Sequence, residues 1–459
     1  MNIWIVAPEF APYVTLGGIG TGLRGFALAL LRRGHRVTVV IPVMRTCPAD
    51  LAQVDEVWLD ETYEENGLRL ISVGIAELDD QFRGYGTDVS QDPRAARRSG
   101  LFSQVVVECI VQAQQSEKID VVHAHEWPAA MVPYLLREKG IRLATVFTIH
   151  SLAYQGFFPS SALSWFGLGP EHATMERLEL YGRISLLKGG VLAANQVTTV
   201  SPTYAREIQT PEQGHLLDGV FRKRGNVLTG IVNGIDTTLW NPLTDPALPE
   251  RFDAHTAARK KTNKEIFCLQ HKLDVDKPLF VSLGRLVEQK GIDVVGKSIP
   301  HIVEMGANVC LAGSGDAEIE ALCASAAQVF PGRVVYLGQV TDDNARRLLA
   351  AGDFLLMPSR WEPCGIVQLQ AMRYGVVPIA RRTGGLADTI IDADDRPAAA
   401  NGFLFDELSV GGLMQVISRA LSRLGTPEFA ALQKRGMLAA HGWEGPVRAY
   451  EMVYRAALR

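Results

Sequence analysis

The stretch Phe354-Leu355-Leu356-Met357-Pro358-Ser359-Arg360-Trp361-Glu362-Pro363-Cys364-Gly365 decides how the rest of the chain is read. Its first four residues are apolar throughout, as a strand buried on both faces requires. A polar loop follows, then a helical stretch from about Ile366 to Arg373. The same unit recurs on either side. Pro278–Leu283, Val309–Ala312, Val334–Leu337 and Val377–Ala380 are strand candidates, each followed by a helical candidate. An earlier series holds Ile3–Ala7, Arg36–Pro42, Val121–Ala124 and Thr145–Ile149, with an apolar-periodic helix from about Leu23 to Arg32. The pattern thins between Asn241 and Asp274, where Pro242, Pro246, Pro249 and the basic run Arg259-Lys260-Lys261 fall. Two α/β series joined by a linker predict two Rossmann-like, doubly wound domains, over residues 1–245 and 246–443. The last apolar stretch, Val447–Leu458, is helical with no strand after it, and is set apart as residues 444–459.

Composition bounds the function. The 459 residues are too many for one ordinary core, and 47% hydrophobic with 21% charged residues is ordinary for a globular chain. A net charge of -4 without a long basic run argues against nucleic acid as a partner. The cysteines at 47, 109, 268, 310, 323 and 364 contain no C-x-x-C pair, so reduced thiols are expected rather than disulfides or a zinc site. The start Met1-Asn2-Ile3-Trp4-Ile5-Val6-Ala7-Pro8 resembles a first strand rather than a signal peptide, and no stretch approaches the ~18 apolar residues of a membrane span. A cytoplasmic location follows as an expectation.

In doubly wound sheets ligands bind beyond the carboxyl ends of the strands, so the loops after strands carry the chemistry. Glu362 is expected near a helix start, with Pro363 suited to helix entry. It either caps that helix or offers a carboxylate to sugar hydroxyls. Gly284-Arg285 and Glu288-Gln289-Lys290-Gly291 follow another strand, and Arg285 and Lys290 either reach a diphosphate or are solvated cations. Arg381-Arg382-Thr383-Gly384-Gly385 and Gly313-Ser314-Gly315 are turns whose amides suit an anionic oxygen. Each signal is weak alone. Four such loops on one sheet edge are not.

These residues resemble the bacterial glycogen synthase and plant starch synthase family over nearly the whole chain. The resemblance rests on residues 146–156 (VFTIHSLAYQG), 200–205 (VSPTYA), Asn233-Gly234-Ile235-Asp236 with Trp240-Asn241-Pro242, the Ser359–Gly365 stretch, and residues 373–388. It implies the two-domain GT-B fold around a central cleft, with the final helix returning to an acceptor-binding N-terminal domain. It also implies transfer of glucose from ADP- or UDP-glucose to the non-reducing end of an α-1,4-glucan, with retention and no metal or other cofactor. By similarity the catalytic group is Glu362, Arg285, Lys290 and His150, the last through its carbonyl. Gly17, Gly18, Ser282, Gly284, Gly338, Cys364, Gly365, Thr383, Gly384 and Gly385 are expected around the donor. Glu126, Trp127, Tyr154, Gln155 and Asn233 are expected on the acceptor or sugar side.

The chain departs from the family chiefly in its first half. The glycine-rich loop, normally Lys-Thr-Gly-Gly-Leu-Ala-Asp, reads Thr15-Leu16-Gly17-Gly18-Ile19-Gly20-Thr21. The usual His-Asp-Trp-His reads His125-Glu126-Trp127-Pro128, and His-Asn-Leu reads His150-Ser151-Leu152. Glu126 is either a sugar contact or a solvated residue near a helix start, and Trp127 either a stacking or a core aromatic. After Gly338 the aromatic often found in bacterial members is Gln339, which leaves adenine and uracil open. These differences raise a second expectation, a retaining glucosyltransferase with another acceptor such as a surface polysaccharide or small metabolite. A non-catalytic glucan or sugar-nucleotide binder is the alternative from another class, opposed by intact Arg285, Lys290 and Glu362.

Overall fold

A computed structural model describes residues 1–15, 18–43, 57–64, 66–75 and 92–459. The chain divides into two compact units, Met1–Gly234 with Trp443–Arg459, and Ile235–Gly442. The first holds β1 (Asn2–Val6), β2 (Arg36–Val43), β3 (Val57–Tyr63), β4 (Arg69–Ile75), β5 (Val121–His125) and β6 (Ala144–Ile149). After these come the short β7 (Phe157–Phe158), β8 (Glu179–Leu180) and β9 (Arg183–Ser185), then β10 (Gln196–Thr199) and β11 (Leu228–Gly230). The second unit holds β12 (Leu279–Leu283), β13 (Asn308–Ala312), β14 (Val334–Tyr336), β15 (Phe354–Met357), β16 (Val377–Arg381) and β17 (Phe403–Phe405).

The large sheet of the first unit runs β11-β10-β6-β5-β1-β2-β4-β3, parallel except for β3 against β4. The six strands of the second, ordered β14-β13-β12-β15-β16-β17, are all parallel. The fold is α/β, built from two doubly wound units. Apolar runs became central strands because helices cover both faces: every residue of β1, β5, β13 and β15 is buried. The covering helices carry apolar stripes at helical spacing. In Ile292–Glu304 the buried Ile292, Val295, Ile299 and Ile302 form one.

Strand order fixes where ligands can sit. In the first sheet the chain leaves β1 outward through β2 and returns to β5 on β1's other side. In the second it leaves β12 through β13 and β14 and returns to β15. Each return opens a switch point at the carboxyl ends, between β1 and β5 and between β12 and β15.

The expected break after residue 245 falls earlier. Residues 235–245 belong to the second unit because their side chains pack there. Trp240 lies in its core, Ile235 N–H donates to His441 O at 2.8 Å, and the buried Asp245 pairs with Arg346 at 3.0 Å and accepts from Tyr374 at 2.6 Å.

The final helix, Glu444–Ala457, belongs to the first unit. Trp443, Val447, Tyr450 and Tyr454 are buried in a core shared with β1, β2 and the helix Ile19–Arg32. Tyr454 hydroxyl meets His123 Nδ1 at 2.9 Å, and His123 Nε2 meets Thr148 Oγ1 at 2.6 Å, a buried polar chain that ties the helix to β5 and β6. At the rim Glu451 takes the Arg33 fork at 2.6 and 2.8 Å and His35 Nε2 at 2.9 Å. Those Arg33 hydrogen bonds, ahead of the His35 contact, hold the Glu451 carboxyl down at about 2. Its contribution is therefore complete above the unfolded value of ~4.3 and is lost as pH falls through about 2. Glu451→Ala is expected to cost about 1 kcal/mol at pH 7, discounted because Arg33 is partly exposed. Thermal melts at pH 7 and pH 2.5 check this: the gap between variant and parent narrows at the lower pH.

Candidate active site

At the β12/β15 switch point two loops are zipped together by backbone and side chains. Arg360 N–H donates to Gln289 O at 2.8 Å, and Gln289 Nε2 donates to Trp361 O at 3.2 Å. The Arg360 guanidinium forks onto Asp293, in the first turn of Ile292–Glu304, at 2.7 and 3.0 Å, and holds that carboxyl below the usual range. Arg381, at the end of β16, donates to Arg360 O at 2.7 Å. The result presents Lys290 Nζ to Glu362 Oε2 at 2.6 Å, with Ser359 Oγ on the same oxygen at 3.1 Å. Glu362 is buried and Lys290 half-buried.

Glu362 therefore caps no helix. The helix begins at Val367, Pro363 lies outside it, and the carboxylate turns toward Lys290. Arg285 is exposed and donates to Gln289 Oε1 at 3.2 Å. Gly284 and Gly338 sit just beyond β12 and β14, whereas Ser282 is buried inside β12. Gly313 N–H donates to Gly338 O at 2.6 Å, so that turn's amide is used within the protein. Cys364, Thr383, Gly384 and Gly385 are buried, with Gly365 following Cys364 in the same loop. The two glycines serve close approach first. A Cβ on Gly384 would stand 2.0 Å from Glu362 O, and one on Gly385 would stand 1.9 Å from Cys364 O. Gly385 N–H donates to Glu362 O at 3.0 Å, so this amide, expected at a phosphate, instead anchors the Glu362 backbone.

The first unit's switch point is built differently. Glu126 follows β5 with φ +64, a left-handed conformation costly for a residue with a Cβ. This turn swings its carboxylate under the end of β6, where one oxygen accepts His150 N–H at 2.5 Å and Ser151 N–H at 2.8 Å. Glu126 is buried, so the solvated reading is wrong, and its Oε1 is occupied by backbone rather than open to sugar. Burial pushes its carboxyl up to about 7, against the pull of the Ser151, His150 and Trp127 amides and with a smaller push from Glu9. His125 Nδ1 meets His150 Nε2 at 3.0 Å, and burial drives the His150 imidazole down to about 4, so it is neutral at pH 7.

Trp127 is a core residue, packed against Phe158 at 5.9 Å between ring centres, which removes it as a sugar platform. Gln155 is committed to His215 O at 2.6 Å and Ser185 Oγ at 3.2 Å, and Tyr154 packs on the same core as Trp127. Asn233 is buried, and its Oδ1 has no hydrogen-bond partner among the described residues, an acceptor that calls for a donor. Gly18 precedes the helix Ile19–Arg32, and Gly17 lies outside the described residues. Between residues 9 and 25 the single cation is Arg24, and its guanidinium forks onto Glu64 at 2.7 and 3.0 Å. Among the described residues no cluster of three or more His, Cys, Asp or Glu could hold a metal ion. No helix among them is long and apolar enough to cross a membrane.

Sequence reasoning missed Asp293, Gln289 and Arg381 as supports of the Glu362 loop. A carboxylate in the first turn of a helix is ordinary there, so nothing local marked Asp293 as the partner of Arg360.

Comparison with known proteins identifies the family. Residues 2–223 match the family described as the starch synthase catalytic domain, and residues 263–428 match glycosyl transferases group 1. A glycogen synthase of Alkalilimnicola ehrlichii is 40% identical over 99% of this chain and 98% of its own length. A second relative, glycogen synthase 2 of Geobacter sulfurreducens, is 37% identical over 100% of this chain and 99% of its own. The catalytic domain of starch synthase IV from Arabidopsis thaliana, solved bound to ADP and acarbose, superposes with a TM-score of 0.87 at 30% identity. That match covers 100% of this chain and 99% of the plant domain.

Proposed function

The chain belongs to the starch and glycogen synthase family and is a glucan-directed glucosyltransferase, for which we propose the following donor, acceptor and site. The donor is ADP-glucose or UDP-glucose, and the glucosyl group passes with retention to the non-reducing end of an α-1,4-glucan. No resident cofactor is assigned. Lys290 and Arg285 take the diphosphate and stabilise negative charge on the departing nucleotide, as fixed cations do where charge grows. Glu362 takes hydroxyls of the transferred glucose. The carrying observation is the buried Glu362 carboxylate beside Lys290 at the β12/β15 switch point, 2.6 Å apart. ADP in the plant starch synthase structure favours an adenine nucleotide among the two. The five free cysteines among the described residues favour a reducing, cytoplasmic setting.

Glu126 does not by itself call for another acceptor, because its carboxylate is used on the His150 and Ser151 backbone amides. The test is an assay of ADP- and UDP-glucose against glycogen, maltose and no acceptor, following nucleotide release and chain length together. Glycogen elongation with one donor clearly preferred is expected. Nucleotide release without elongation of either glucan would overturn the acceptor assignment.

A further inference from the structure

We propose that the Lys290–Glu362 ion pair is an internal competitor for the donor's diphosphate, so that the site discriminates against the bare nucleoside diphosphate left after transfer. The inference rests on the donor site proposed above. Both cation and hydroxyl bind one oxygen of the carboxylate: Lys290 Nζ at 2.6 Å and Ser359 Oγ at 3.1 Å reach Glu362 Oε2. The two partners differ in freedom. The Glu362 side chain is 5% exposed and the Lys290 side chain 24%. The Glu362 backbone is anchored on both sides, through Arg360 to Gln289 and Asp293, and through its own carbonyl to the Gly385 amide. Lys290 sits at the end of a flexible four-carbon stem and is the member able to move.

A phosphate arriving above β12 draws Lys290 toward itself. That leaves a buried carboxylate with Ser359 in place of a cation, and a buried anion that loses its partner is strongly disfavoured. A nucleotide sugar removes the difficulty, because its sugar brings hydroxyl donors to Glu362. A nucleoside diphosphate brings none. The same buried charge is thus satisfied by Lys290 in the empty site and by sugar hydroxyls in the donor complex. In the product complex it has neither in full. Re-formation of the ion pair then helps expel the product nucleotide.

The experiment is calorimetric titration of the full chain with ADP, UDP and the corresponding nucleotide-glucoses. Glu362→Gln, which keeps side-chain shape and frees Lys290, is expected to bind the nucleoside diphosphate about tenfold more tightly than the parent. Its affinity for nucleotide-glucose should not rise. Ser359→Ala reads the same balance with the opposite sign, because the carboxylate then depends more on Lys290; diphosphate binding should weaken by about threefold. Melting curves confirm that each variant is folded, and Ser359→Ala decides alone if the glutamine variant is not. An unchanged or weaker diphosphate affinity in Glu362→Gln, or a tighter one in Ser359→Ala, overturns the competitor role while leaving the donor site standing. A parent chain that binds neither diphosphate nor nucleotide-glucose overturns both.

Discussion

Glu362→Ala is expected to lower kcat for glucan elongation by about a thousandfold, the scale seen when one preorganised transition-state contact is deleted. The fold should survive the change. Lys290, left without its carboxylate, is 24% exposed and can turn to water, so the stability change should stay within ~1 kcal/mol. The carboxylate is held on a loop that Arg360, Asp293, Gln289 and Arg381 brace from three elements, the fixed placement that the proposed sugar contact requires. Initial rates with saturating glycogen and either nucleotide-glucose give the answer. A kcat within tenfold of the parent would remove Glu362 from the reaction.

Loss of the Glu126 carboxylate should have the next largest effect, through a different link. Glu126→Ala strips the acceptor from two buried amides, His150 and Ser151, each costing ~1–3 kcal/mol when left unpaired. The backbone at His150 and Ser151 then loses its fixed position, and about a hundredfold fall in kcat is expected, the scale of a ~1 Å misplacement transmitted to the reacting groups. KM for glycogen should change by less than about threefold, because the carboxylate touches backbone rather than sugar. A large rise in KM with kcat retained would instead make Glu126 a sugar contact. Glu126→Gln, which keeps an acceptor oxygen, should retain a greater share of kcat than Glu126→Ala or the shorter Glu126→Asp.

The same residue carries a pH signature. Its folded value, raised to about 7 by burial, lies above the unfolded value of ~4.3. Its contribution to stability is therefore complete below ~4.3 and is lost as pH rises through about 7. Glu126→Gln removes that titration. Between pH 6 and pH 8.5 the parent should lose stability relative to this variant, visible as diverging melting temperatures.

Local chemistry made much of this protein legible. Period and burial identified β15 to the residue, and β12, β13 and β16 to within a residue at either end, because a strand covered on both faces must be apolar at every position. The glycines at 384 and 385 and the Glu362 stretch were legible for the same reason, since close backbone approach and strand-end carboxylates leave marks in residue type. Their roles were less so. Glycine amides expected at phosphate are partly consumed inside the protein, as Gly385 is by Glu362 O, and one sequence does not show which amide is already used. Trp127 and Gln155 lie in a motif-bearing region yet serve the core and loop packing, because burial depends on what arrives from β7 and residues 185 and 215.

What the sequence by itself determined is the α/β alternation, the two-unit division in outline, the family, and the residue types offered at the carboxyl ends of the strands. What only the tertiary structure decided is which of those residues meet. Lys290 and Glu362 stand 72 positions apart, and Glu126 and His150 stand 24 apart. They touch because crossover connections return β15 beside β12 and lay β6 beside β5. Strand order is a property of the whole sheet, set by how the helices pack across it, and no local pattern encodes it. The backbone turn at Glu126 belongs to the same class. A left-handed glutamate is disfavoured in isolation, and it persists here because two amides of a neighbouring strand end wait for its carboxylate.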